Sequence, residues 1–160
     1  AYQQTKVQEN SAENIQAMLA QGILPGIPPV MGKNIKETIA TYKELTDPEA
    51  FITGERYILE DAAFRDVSLI VPFGAEEITG ILTHRMDLFG LITGIADRAA
   101  CVTVLGEPDA TLPLDADIAA RYAMEAGNAS FYSMGAYRLM LGFDQQDVLQ
   151  SIYLLKESLE

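Results

Sequence analysis

Residues 75–100, AEEITGILTHRMDLFGLITGIADRAA, decide the fold, because two periodicities compete for them. As one helix, the stretch has Ile78, Ile81, Leu82, Met86, Leu88, Phe89 and Ile92 as its apolar set, but it must enclose Gly80, Gly90 and Gly94. Each interior glycine costs about 1 kcal/mol relative to alanine, and the β-branched Thr and Ile residues add to that cost. As strands, the same glycines become punctuation between the short runs EITGILTH (77–84) and LFGLITGIA (88–96). The strand reading wins.

The pattern extends outward on both sides. Upstream lie AFITGERYIL (50–59) and VSLIVPF (67–73); downstream lie AACVTVLG (99–106), ATLPLD (110–115), NASFYS (128–133), AYRLMLGF (136–143) and SIYLLK (151–156). Their spacing is close to the 8–12 residues of a sandwich or barrel, and Gly106-Glu107-Pro108-Asp109 and Gly127-Asn128 supply turn chemistry between them. The sequence therefore predicts a mainly β fold, a small barrel or sandwich, with α+β as the alternative. In AACVTVLG both alternating faces are apolar, which suits a central strand. ADIAARYAMEA (116–126) has strong helical propensity and reads as either a helix or a turn, and Asp144–Leu149 reads as a turn or one helical turn before the last strand.

Residues 1–46 are punctuated differently and read as a helical and extended N-terminal arm, with residues 47–160 as the β-rich domain. Asn10 with Glu13, and Asn34 with Glu37, each place a capping residue three positions before a glutamate. Ile15, Met18 and Leu19 follow the first cap, and Ile35, Ile39 and Tyr42 follow the second, each set forming one narrow apolar stripe. Between them Pro25, Pro28 and Pro29 forbid a continuous helix. Two short helices on a stiff hinge need a surface to lie on. The chain's own domain is one such surface and a neighbouring subunit the other, and on the second reading these six residues are candidate interface positions.

A second candidate contact is FYSMGAY (131–137). Strand alternation places Phe131 and Tyr137 at one parity and Tyr132 and Met134 at the other, so both sets cannot easily face one core. Tyr132 and Met134 are accordingly expected at a subunit contact.

Composition narrows the function. Apolar residues make up 49% and charged residues 21%, ordinary for a folded domain, and the formal charge is −12. With no Lys/Arg-rich stretch, nucleic acid is not an expected partner. The most apolar run, Leu88–Ala96, is half the length of a membrane span, and AYQQTKVQEN (1–10) lacks the basic and apolar regions of a secretory signal. A single Cys, Cys101, and a single His, His84, remove disulfide frameworks and Cys/His zinc sites. His84 could pair with Asp87 and a nucleophile such as Ser68, Ser130 or Cys101, but no nucleophile motif occurs, so no catalytic residue is assigned. Asp109, Asp115 and Asp117 fit no calcium loop, and MGKN (31–34) is not a phosphate-binding loop. No metal or cofactor is expected.

The order of the runs over about residues 77–156 resembles the small β-barrel decoration or cement proteins of tailed-bacteriophage capsids. The resemblance is carried by ITGILTH (78–84), the V-T-V run (102–104), the Leu112-Pro113 step, the acidic and alanine-rich segment, the Gly127-Asn128 hairpin, the GAYRLMLGF strand (135–143) and the closing SIYLLK. Three features depart from it. Ala119-Ala120-Arg121 stands where a Gly-Asp turn is usual, Leu88–Ala96 is long for a hairpin, and residues 1–46 have no counterpart. The resemblance implies a non-enzymatic virion protein that forms dimers or trimers on a capsid lattice. The alternative is a small cytoplasmic α+β enzyme or ligand-binding subunit, with His84 beside a pocket lined by Met and Tyr.

Overall fold

The computed structural model describes residues 17–24, 27–45, 47–51, 54–88 and 90–156. Its strands are β1 (Glu49–Phe51), β2 (Gly54–Ile58), β3 (Val67–Pro72), β4 (Gly80–Thr83), β5 (Asp87–Leu88), β6 (Leu91–Ile92), β7 (Ala110–Leu114), β8 (Gly127–Met134), β9 (Tyr137–Phe143) and β10 (Leu149–Lys156). Three described helices are interspersed: α1 (Ile35–Tyr42), α2 (Arg98–Leu105) and α3 (Ala116–Arg121). Residues 17–20 are also helical. The chain is mainly β, as the spacing of the runs predicts.

Eight strands form one antiparallel sheet in the order β1-β2-β3-β4-β10-β9-β8-β7, and β5 and β6 form a separate hairpin. The large sheet consists of two meanders, β1–β4 and β7–β10, joined where Thr83 pairs with Ile152 and Gly80 with Leu155. Among the described strands nothing pairs β1 with β7, so the sheet is open, with an edge at each end, instead of the closed barrel or two-sheet sandwich expected.

Both faces of the sheet are covered. On the front, Leu69, Ile81, Leu139, Leu141, Ile152 and Leu154 meet side chains from three other parts of the chain. These are Leu19, Leu24, Ile27, Val30 and Ile35 of the N-terminal segment, Leu88 and Leu91 of the β5–β6 hairpin, and Cys101 and Leu105 of α2. On the back, Ile70, Leu82, Met140, Tyr153 and Ala129 meet Phe51, Leu114, Ala119 and Met124. Phe51 stands edge-on to Tyr153, with ring centroids 5.8 Å apart. Each fully buried large aliphatic side chain contributes about 1.5–3 kcal/mol, so the front holds most of the hydrophobic stabilisation.

The N-terminal segment is not a separate arm. Its described part is laced to the sheet on both sides: Ile35 N–H donates to the Glu76 carbonyl at 2.7 Å, Ile78 N–H to that of Lys33 at 2.9 Å, and Leu45 N–H to that of Ile58 at 2.9 Å. The cap predicted at Asn34 is present, its side chain accepting from the N–H groups of Lys36 (2.8 Å) and Glu37 (3.3 Å). The boundary expected after residue 46 therefore falls within one continuous core, because the apolar stripe of α1 lies on its own sheet. The cap predicted at Asn10 lies outside the described residues.

The run AACVTVLG is helix α2, not a central strand. Asp97 caps it by accepting from Ala100 N–H at 2.8 Å, Gly106 ends it, and Cys101 and Leu105, four apart, form its buried side. A cap, two alanines and one packed stripe outweigh the few tenths of a kcal/mol by which Val102, Thr103 and Val104 disfavour a helix. Of residues 116–126, Ala116–Arg121 are helical, capped by Asp115. The turn at 144–148 is as expected. The Asp144 carboxylate accepts from Gln146 N–H, Val148 N–H and the Gln150 side chain, and the backbone bond from Val148 holds its pKa below the ordinary value.

Candidate functional site

The residues expected at an interface are mostly core. Leu19, Ile35, Tyr132 and Met134 are buried within the chain, and Ile39 and Tyr42 pack against the same cluster from α1. Met18 is half-buried, and Ile15 lies outside the described residues. The parity argument at residues 131–137 fails for a specific reason. The two-residue turn Gly135-Ala136 makes Met134 and Tyr137 direct cross-strand partners, so they share a face. Phe131 is on the other face and packs against the back cluster. Tyr132 also serves α2: its hydroxyl donates to the Gly106 carbonyl at 2.9 Å. Burial pushes its pKa up to about 12, with further contributions from Cys101, Glu107 and Asp109.

The reactive side chains are occupied structurally. Cys101 is buried, and desolvation, with a smaller contribution from Asp97, pushes its thiol up to about 11, away from the thiolate needed for nucleophilic attack. His84 directly follows β4, and its Nε2 lies 2.5 Å from the Ala123 carbonyl. A carbonyl can only accept, so Nε2 carries the proton, and the ring joins the end of β4 to the segment after α3. Ser130 shares a hydrogen bond with Thr111 at 3.2 Å.

His84 does line a cleft of ≈ 510 Å³, together with Ser68, Arg56, Arg65 and Asp66. Its apolar walls are Leu45, Ile58, Leu59, Phe64 and Val67, so the Met- and Tyr-lined pocket of the alternative reading is not the one His84 borders. Ser68 stands opposite Leu82 and Asp66 backs His84 through the backbone, but no hydrogen bond joins the Ser68 hydroxyl to the imidazole. Arg56 is engaged by Glu49 and Arg85 by Asp66. Among the described residues no three His, Cys, Asp or Glu side chains converge as a metal site. No helix among them is long and apolar enough to cross a membrane.

Among the described residues, large apolar side chains are exposed at Leu45, Phe73, Ile92 and Ile95, and also at the free sheet edge formed by β7 with α3 beside it. Residues 109–113 are all exposed, and only Leu114 turns inward. Leu112 is 53% exposed and Ile118 39%. Phe131 lies diagonally across from Leu112, since Leu112 pairs with Ala129 and Ala110 with Phe131. Pro113 has no N–H, so this edge offers a broken ladder to any incoming strand and an apolar face to an incoming surface. Acidic side chains border it and are fixed in place. Asp109 accepts from Ser133 N–H at 2.7 Å and Asp115 from Ile118 N–H at 2.8 Å. Sequence reasoning weighed Asp109, Asp115 and Asp117 only against a calcium loop and missed the exposed leucine among them. The signal was there in ATLPLD, where alternation leaves Leu112 and Leu114 on one face of a strand only five residues long.

No protein-family profile matches the sequence, and no curated protein does. Among solved structures, the chain is similar to a DUF4309 family protein (YjgB) from Bacillus subtilis, with a TM-score of 0.65 and 12% identity over 93% of this chain and 99% of that one. It is also similar to a cysteine-rich secretory protein from Staphylococcus aureus, with a TM-score of 0.48 and 16% identity over 80% of this chain and 44% of that one. At that identity the likeness to the Bacillus protein is one of fold alone.

Proposed function

We propose that this chain is a non-enzymatic structural protein that works by docking onto another protein through the β7–α3 edge. The observation that carries the reading is the exposure of Leu112 on the free edge strand and of Ile118 on α3, beside the back cluster to which half-buried Phe131 belongs. Isolated apolar side chains on a surface are ordinary, but a run of them on a free sheet edge is the usual core of a contact. The use of His84 as a tie to Ala123 and the burial of Cys101 agree with a structural role.

A capsid lattice, with a virion location, is the narrowest form of this proposal. Its support is the order of turns and strands in β4 and β7–β10. The V-T-V part of that resemblance is weakened, since residues 102–104 are helical.

The test is a photo-reactive residue in place of Leu112, activated in the native cell, with Thr103 on exposed α2 as the control position. A discrete covalent adduct with a protein from position 112, absent from position 103, is the expected result. No adduct at position 112 overturns the reading.

A further inference from the structure

We propose that the cleft beside Ser68 binds a small zwitterion with an apolar side chain, of the class of a free aromatic or branched-chain amino acid. The site lies in the β1–β4 half of the sheet, away from the β7 edge, and does not depend on the docking role proposed above.

The strand register builds the site. Ser68 of β3 pairs with Ile58 of β2 on one side and with Leu82 of β4 on the other. The ladder continues past β4, where His84 N–H donates to the Asp66 carbonyl at 3.4 Å. Alternation therefore puts Arg56 and His84 at the two positions diagonal to Ser68 on one face of the sheet. All three border the cleft of ≈ 510 Å³, a volume in the range of small-molecule sites. Leu59, Phe64 and Val67, all buried, give the same cleft an apolar wall.

Ser68 is only 6% exposed, and its hydroxyl has no hydrogen-bond partner among the described residues. A polar group at that depth is unfavourable unless something bonds to it, and the cleft is the space it borders.

The charges around it are mostly used within the chain. Arg56 is paired with Glu49 at 2.5 Å and Asp66 with Arg85 at 3.8 Å, and Asp61 is not free either. Arg65 and Glu60 remain, one of each sign, both exposed at the cleft and without an ion pair among the described residues. His84 adds an acceptor, because its Nε2 proton is given to the Ala123 carbonyl and Nδ1 of the neutral ring can only accept. The groups left over are thus a cationic donor, an anionic acceptor, a neutral acceptor and a hydroxyl that can do both. A carboxylate alone would meet Arg65 but be repelled by Glu60, and an ammonium alone would meet the reverse. A molecule with both groups answers both charges, and its side chain lies on Leu59, Phe64 and Val67.

The test titrates the purified full chain with phenylalanine, with 3-phenylpropionate, which lacks the ammonium, and with 2-phenylethylamine, which lacks the carboxylate. Binding is followed by NMR of the Leu59 and Val67 methyl groups. Saturable shifts with phenylalanine are expected, and binding about tenfold weaker or less for the other two, since each has lost a charged hydrogen bond. Arg65→Gln should abolish the advantage of phenylalanine over the amine, and Glu60→Gln its advantage over the acid. Ser68→Ala should weaken phenylalanine several-fold without lowering the melting temperature, because the hydroxyl has no bond to lose within the chain. Lys33→Gln, which removes a positive charge outside the cleft, should change nothing. Equal affinity for the three compounds, no saturable shift with phenylalanine, or a Ser68→Ala variant that binds normally overturns the proposal. None of these outcomes bears on the adduct at position 112, which tests the docking role separately.

Discussion

On the front of the sheet, a long segment, a hairpin and a helix pack over the strands; on the back, one short helix, Met124 after it and Phe51 of β1 pack over a smaller cluster. The front draws its cover from residues far apart in the chain, so its apolar side chains have nowhere else to go. The back leaves its outer corner, at β7, to solvent. Apolar side chains on short elements thus have opposite fates: Ile35 and Ile39 of α1 close the molecule's own core, and Leu112 of β7 and Ile118 of α3 are left exposed. What separates them is supply. The front had more chain available than the strands needed, and the back had less.

That contrast can be broken at its strongest point first. Leu19 is fully buried although it comes from the N-terminal segment, and Leu19→Ala is expected to cost about 2–5 kcal/mol in chemical denaturation, as for an interior leucine. A loss below about 1 kcal/mol would return the segment to the status of a detachable arm.

A second test uses pH and touches only the front. Cys101 and Tyr132 have pKa values raised by burial, to about 11 and about 12 from 9.0 and 10.0. The unfolded chain therefore loses these protons first as pH rises. The stability they contribute is fully present below about pH 9 and is lost progressively from there to about pH 12. Melting temperature should fall over that window, and Cys101→Ala should flatten the part of the fall between about pH 9 and 11. An identical fall in that variant would show that Cys101 is not the group responsible.

The smallest effect belongs to the back. His84→Gln removes the bond from Nε2 to the Ala123 carbonyl, which fastens the cover of this face. The expected loss is about 0.5–1.5 kcal/mol, with the front unaffected as judged by unchanged protection of Cys101 from thiol reagents. Exposure of Cys101 in that variant would mean that the two faces are coupled and do not melt as separate layers.

The sequence was most legible where a single residue commits the backbone. Asn34 and its downstream glutamate foretold α1, and Asp144 foretold the turn before β10. The spacing of the runs that became β3, β4, β9 and β10, with turn residues between them, foretold strands. It was least legible where tertiary packing decides. Val102, Thr103 and Val104 look like a strand, and only the cap at Asp97 and the spacing of Cys101 and Leu105 say otherwise. Residues 131–137 misled because parity was counted through the turn, whereas in a two-residue hairpin the partners across it share a face. For the candidate site the legible part was chemical: the scarcity of His and Cys already removed most catalysis. The edge itself depends on which strand ends the sheet, and that order is a property of the whole topology.

The joint between the two meanders carries a consequence for the time course of folding. Within β1–β4 and within β7–β10 each main-sheet strand pairs with its neighbour along the chain, so these ladders need only short loops to close. The junction of β4 with β10 brings together residues about seventy positions apart, and it is the step that pays the large loop-closure entropy. Until it closes, Ile81 and Leu82 have no strand beyond them on that side, and β10, with five of its eight residues buried, has one edge open to any extended segment nearby. The molecule is therefore most exposed to mispairing after its local hairpins have formed and before the central seam has zipped.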